Sequence, residues 1–356
     1  LHPFSCDHTR VAMSIMRTFI LLLTGCCLLA HGERASAGEL RFLSLKTIPA
    51  PQPRFDQAMA TDRESGRVFL FGGRDGERFF NDLWVLDEKK MSWRKIETGQ
   101  GPAPRSGHSL VYDKKSGRLI LFGGFTTDEF GQIKFFRQLW IFTESKGWSR
   151  EYFKVGPSGR AWHGTAIIGE KLVIFGGYSS EPRPFLDDVW QMDLENLSFK
   201  RAATDGGPKM NGRPALLPLA DKDKLLIFGR LGTFNPSSTQ RWILDRAADK
   251  WTRLAEMGAP NPAYSITMAD AKSKRLCIVE IKRDDEAISR VAWCGIQPDG
   301  KWERLEMAEG PTTPVGIVCT PDALKPGWIC FGGAYRAEVN GQTWLAEPEN
   351  GDEGGL

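Results

Sequence analysis

A double glycine closing a short β-rich run recurs along this chain, and its period limits the possible folds more than any other feature. It stands at Phe71-Gly72-Gly73, Phe122-Gly123-Gly124, Phe175-Gly176-Gly177 and Phe331-Gly332-Gly333. The first two intervals are 51 and 53 residues, and the last, 156, is three further periods of 52. The places expected in that gap hold Phe228-Gly229-Arg230 and Val279-Glu280-Ile281, so six repeats are present and two have lost glycine. A tryptophan follows each site, at Trp84, Trp140, Trp190, Trp242, Trp293 and Trp344. A third aromatic comes at Trp93, Trp148, Phe199, Trp251 and Trp302, and Gly-Pro or Ala-Pro turns close the repeats. Arg105, Arg160 and Arg213 follow three of those turns, and Arg54 follows Ala50-Pro51. A period near 50 residues means one array of small units in place of separate domains.

Each unit reads as four short strands. In the second repeat, 106–112 alternates, 118–122 is a continuous apolar run suited to burial on both faces, 138–142 follows a loop, and 148–153 closes the unit. A lone four-stranded sheet cannot cover both faces, so the sheets must stack around an axis with aromatic rings in the wedges. The sixth repeat ends soon after Trp344 and lacks its outermost strand. Phe42 precedes Arg54 by the same 12 residues that separate Trp93 from Arg105, so 40–46 is expected to supply that strand and close the ring. The expectation is all-β: a six-bladed β-propeller of four-stranded blades, the last completed by an N-terminal strand.

The double-glycine and tryptophan pattern resembles the kelch repeat over about residues 39–347. That resemblance implies one propeller blade per repeat. Arg230 in blade four, and the absence of both glycines in blade five, depart from the pattern.

The only long apolar stretch, Thr18–Ala30, is too short to span a bilayer as a helix. It follows Arg17 and precedes Ala35-Ser36-Ala37, which reads as a secretory cleavage site. Residues 1–37 are therefore expected to be upstream sequence and signal peptide, 38–347 the propeller, and 348–356 an acidic flexible tail. Export to the periplasm or outside the cell follows. A lipoprotein box ending at Cys26 is the rival, with a lipid anchor there. The 47 basic and 44 acidic residues leave a net charge of +3, which gives no broad field for nucleic acid. Beyond the leader remain Cys277, Cys294, Cys319 and Cys330. An even count in an exported chain permits disulfides, and local pairing within blades five and six is the cheapest connectivity, with four buried thiols as the alternative.

His108 and His163 recur three residues after the repeat arginines, so they read as scaffold; so do Arg54, Arg105, Arg160 and Arg213. No nucleophile elbow, phosphate loop or metal-ligand spacing is present, and neither cofactor nor catalysis is expected. The kelch resemblance implies that residues just after each double glycine, and just after each Pro-Arg turn, gather at the channel mouth. The candidates are Arg74, Phe125, Trp162, Tyr178, Arg230, Tyr264, Glu280 and Lys282. Arginine beside aromatic rings suits an anionic peptide or a sugar acid. The expected function is a non-catalytic binding module for a protein, peptide or glycan. The alternative is a carbohydrate-active enzyme of the sialic acid epimerase type, with Arg74, Arg230 and Glu280 in the pocket. A further apolar candidate is the loop 126–137, with Phe130, Phe135 and Phe136.

Overall fold

The computed structural model describes residues 39–348, apart from 181–183, 203–205, 210–212, 222, 231–238, 255–264, 284–286, 297–301, 306, 308 and 314. Tyr264 and the leader fall outside the described residues, as does the side chain of Arg230. Six four-stranded antiparallel sheets form the blades. Their innermost strands are Ala58–Asp62, Ser109–Asp113, Gly164–Ile168, Ala215–Pro218, Ser265–Asp270 and Val318–Pro321. Each innermost strand lies beside the next, and the sixth lies beside the first, so the ring is closed.

Closure uses the N-terminal strand Leu40–Leu45. It pairs with Thr343–Pro348 in register from Leu40↔Pro348 to Leu45↔Thr343, as the outermost strand of blade six. Leu40 and Phe42 are buried between blades five and six with Met268, Cys330 and Ala346, and Phe42 meets Trp344 edge to face at 6.4 Å. A core cluster fills each wedge between neighbouring blades, because the second strands are apolar on both faces and serve two wedges at once.

The double glycines are seams between blades. Gly73 N, Gly124 N and Gly333 N donate to the carbonyls of Arg105, Arg160 and Arg54 in the following blade. A Cβ on Gly123, at φ +72, would lie 2.6 Å from Arg160 O, so only glycine fits. In blade five the corresponding residues continue an unbroken strand, Arg275–Arg283, that needs no such turn. Disulfides join residues directly opposite each other on neighbouring strands, Cys277 with Cys294 and Cys319 with Cys330.

Candidate binding site at the channel mouth

Arg54, Arg105 and Arg160 are fully buried and hold the scaffold. Each donates to the carbonyl of a first glycine, Gly72, Gly123 or Gly176. Arg54 also forks onto Asp82 at 2.6 and 3.0 Å, and Arg160 onto Asp188 at 2.7 and 2.9 Å. The indole N–H groups of Trp84 and Trp190 donate to the same carboxylates. His108 and His163 pack edge to face on Phe71 and Phe122 of the preceding blade. Burial first, then the neighbouring guanidinium, lowers His163 to about 3, and His108 also lies well below its ordinary value. Neither imidazole carries charge near neutral pH.

Arg213 departs from this scaffold role, and the expectation for it is corrected. Phe71, Phe122, Phe175, Phe228 and Phe331 pair with Ala58, Ser109, Gly164, Ala215 and Val318. Two residues before those partners stand Asp56, Gly107, Trp162, Arg213 and Gly316. Arg213 therefore occupies a channel-ring position, while Arg54, Arg105 and Arg160 lie two residues earlier in their repeats. The signal is in the sequence: Arg105 and Arg160 follow the turn proline by three residues, but Arg213 follows Pro208 by five.

The ring is bonded through its backbone. Asp56 N donates to Gly316 O, Gly107 N to Asp56 O, and Trp162 N to Gly107 O, at 2.8–3.0 Å. Asp56 and Trp162 hold φ near +55 without being glycine, a conformation that costs about 1–3 kcal/mol and tends to mark functional positions. The glycines make room for them: a Cβ on Gly316 would lie 2.8 Å from Asp56 Oδ1, and one on Gly107 would lie 3.0 Å from Trp162 Nε1.

On this ring Asp56, 1% exposed, gathers two cations, Arg74 of its own blade and Arg213 from across the channel. Arg213 Nη1 donates to its Oδ1 at 2.5 Å and Arg74 Nη2 lies 3.5 Å from Oδ2, with Trp162 Nε1 at 3.4 Å. Burial pushes the Asp56 carboxyl up, but Arg213, then Arg74 and Trp162, outweigh it and hold the group below the ordinary carboxylate value. Arg213 is 49% exposed and Arg74 31%, and Arg74 Nε is buried with no hydrogen-bond partner among the described residues. Arg74 lies over Phe55 and Phe125, and Arg213 over Trp162, at 4.7–5.1 Å from the ring centroids. Among the described residues the Asp56 cluster thus carries two guanidinium groups against one carboxylate.

The structure brings Arg74, Phe125, Trp162 and Tyr178 together: Phe125 and Trp162 rings are 4.8 Å apart, Trp162 and Tyr178 6.2 Å. Bridges pair Phe55 with Arg74 and Ala161 with Tyr178, so residues after a double glycine meet those after an arginine turn. Glu280 is half-buried opposite Ser265 in blade five, and Lys282 is exposed opposite Ser289. Among the described residues no ion pair or hydrogen bond joins either to the Asp56 cluster. Asp56 escaped the sequence reading because no one residue type recurs around the ring: its position holds Asp, Gly, Trp, Arg and Gly in the blades named. In the loop 126–137 Phe130 is exposed, at 80%, and Phe135 half-buried, while Phe136 is buried beneath Arg105, whose guanidinium is 4.0 Å from the ring centroid, which corrects the expectation for that residue.

A family model described as the KLHDC2/KLHL20/DRC7 Kelch-repeats domain matches residues 97–279, and one described as the Kelch motif matches 57–98. Acyl-CoA-binding domain-containing protein 4 of Arabidopsis thaliana is 30% identical over 60% of this chain and 32% of its own length. Kelch domain-containing protein 1 of Homo sapiens is 26% identical over 62% of this chain and 60% of its own. The chain thus spans about a third and three fifths of the lengths of these two relatives. A solved structure titled "Structure of YjhT" has a TM-score of 0.62 at 15% identity, covering 85% of this chain and 99% of that one, a likeness of fold.

Proposed function

The chain belongs to the kelch-repeat family, and from that premise we propose that it is a binding module whose channel mouth takes an anionic segment of a protein partner. The observation that carries this reading is the convergence of Arg74 and Arg213 on the buried carboxylate of Asp56. Asp56 presets both guanidinium groups and offsets only one of their charges, leaving N–H donors for a second, external anion. Acid–base chemistry on a sugar acid has less support. Asp56, the carboxylate that meets these arginines, is held ionised, while Glu280 stands apart on blade five.

The reading is tested by titrating the protein with fluorescently labelled triglutamate. Arg74→Ala and Arg213→Ala should each weaken binding by about tenfold or more, the usual range for a charge-assisted contact, with thermal unfolding measured beside it. Wild-type affinity in both folded variants overturns the reading. We also propose that the protein works in an oxidising compartment, supported by its two cross-strand disulfides. N-terminal sequencing of protein from the native cell should find Gly38 or a near neighbour; a lipid-modified Cys26 would replace free export with anchoring.

A further inference from the structure

Beside the mouth, the second blade carries an extra hairpin, Phe125–Thr127 paired with Ile133–Phe135. Between it and the loops at 156–159 and 179–180 lies an open cleft of about 630 Å³. Lys134 and Arg137 line the cleft, and among the described residues neither is ion-paired with an acid. Among the described lining residues the one carboxylate, Asp128, is engaged in its own turn, where Oδ1 accepts from Phe130 N and Gln132 N. Arg137 is braced by Pro157 O and Lys154 O, so its charge is fixed in place.

The cleft is continuous with the mouth through aromatic rings. Tyr178 lies 6.2 Å from Trp162 on the ring and 5.6 Å from Phe135, which lines the cleft. Trp162 and Phe135 are therefore at most about 12 Å apart, roughly four residues of extended chain.

We propose that this cleft is a second anion subsite, which receives the continuation of the acidic protein segment held at the mouth. Two cationic subsites a few residues apart raise each other's occupancy by effective concentration when one chain spans both. A protein segment is favoured over an acidic glycan by the hairpin itself. Its tip exposes Phe130 and its outer strand exposes Ile133 at 53%, and an isoleucine offers a sugar neither a stacking plane nor a hydrogen bond, whereas it suits an apolar side chain of a partner.

The inference rests on the mouth reading, and one experiment separates the two. Labelled triglutamate, too short to reach both subsites, is compared with hexaglutamate, about 20 Å when extended, on the wild type, Lys134→Glu, Lys134→Glu/Arg137→Gln, Arg74→Ala and Arg213→Ala. Hexaglutamate should bind the wild type at least tenfold more tightly than triglutamate. Lys134→Glu, an exposed change that spares the fold, should remove that advantage while triglutamate affinity holds. A hexaglutamate advantage that survives in both cleft variants overturns the subsite. Hexaglutamate binding that depends on Lys134 but is untouched in Arg74→Ala and Arg213→Ala keeps the cleft as an anion site and overturns the mouth reading instead. Lys134-dependent binding of hexagalacturonate with no binding of hexaglutamate overturns the choice of a protein segment.

Discussion

Three repeat arginines are fully buried, yet the second lacks the carboxylate that the other two have. Where Arg54 meets Asp82 and Arg160 meets Asp188, Arg105 meets Gln138 Oε1 at 2.7 Å, and burial, then the charge of Arg150, lowers its pKa to about 9. Asp at 138 would stand two residues before Trp140, as Asp82 stands before Trp84, and should supply the missing fork. Gln138→Asp is expected to stabilise the protein by about 1–2 kcal/mol, since charged hydrogen bonds outweigh neutral ones; a melting temperature that stays level or falls would count against this account. The opposite situation holds for Glu88. Buried, and next to Asp322, its carboxyl is pushed up to about 7. A folded-state pKa above the unfolded one gives stability that is complete below about pH 4.5 and is lost as pH rises through about 7. Glu88→Gln keeps an acceptor for Ala323 N and removes the charge. Its unfolding free energy should therefore vary less between pH 5 and 8 than that of the wild type; parallel curves would exclude Glu88 as the source.

At the scale of elements, hairpin register decides both the disulfides and the site. Cys277 and Cys294 face each other across the two middle strands of blade five, and Cys319 and Cys330 across the first two strands of blade six, with Cα atoms 4.2 and 4.1 Å apart. Mass mapping of unreduced protein should recover peptides joined by these two links, and reduction should cost about 2–4 kcal/mol for each; recovery of free thiols at all four positions would remove the bonds from the account. The repeat was legible because the residue before the double glycine, phenylalanine in five blades and Val279 in blade five, packs into wedges that recur six times, so packing demands a large apolar residue each time. The ring was not, because its positions face the channel, where no wedge imposes a residue and Asp56, Gly107, Trp162 and Arg213 differ freely. Arg213 misled for a specific reason: Pro208 precedes Ala215 by the same seven residues that separate Pro102 from Ser109, but the arginine stands five residues after its proline and not three, which puts it in the ring and not in the scaffold. Glu280 and Lys282 were placed by counting glycine positions in a blade whose second strand runs straight through them.

At the scale of the molecule, stability depends on a ring that must meet itself. The channel is crossed at its mouth by the Asp56–Arg213 pair between blades one and four, and elsewhere by Arg63 bonded to Asp270 between blades one and five. These bridges tie blade one to others it does not adjoin. The seam between blades six and one has no covalent continuity of its own beyond the Leu40–Leu45 strand, which enters blade six before the chain runs on into blade one. That strand completes the sheet, covers the edge of Thr343–Pro348, and fills the blade-five wedge with Leu40 and Phe42. Its loss would expose an edge and open a core simultaneously. Deleting residues 39–47 should replace one sharp unfolding transition with a broad, weakly cooperative one. Phe42→Ala, which keeps the strand but empties its place beside Trp344, should cost about 3–5 kcal/mol and leave the transition sharp. If the deletion melts as cooperatively as the intact chain, the ring is held by its inner strands and channel bridges, and the N-terminal strand is only a cover for blade six.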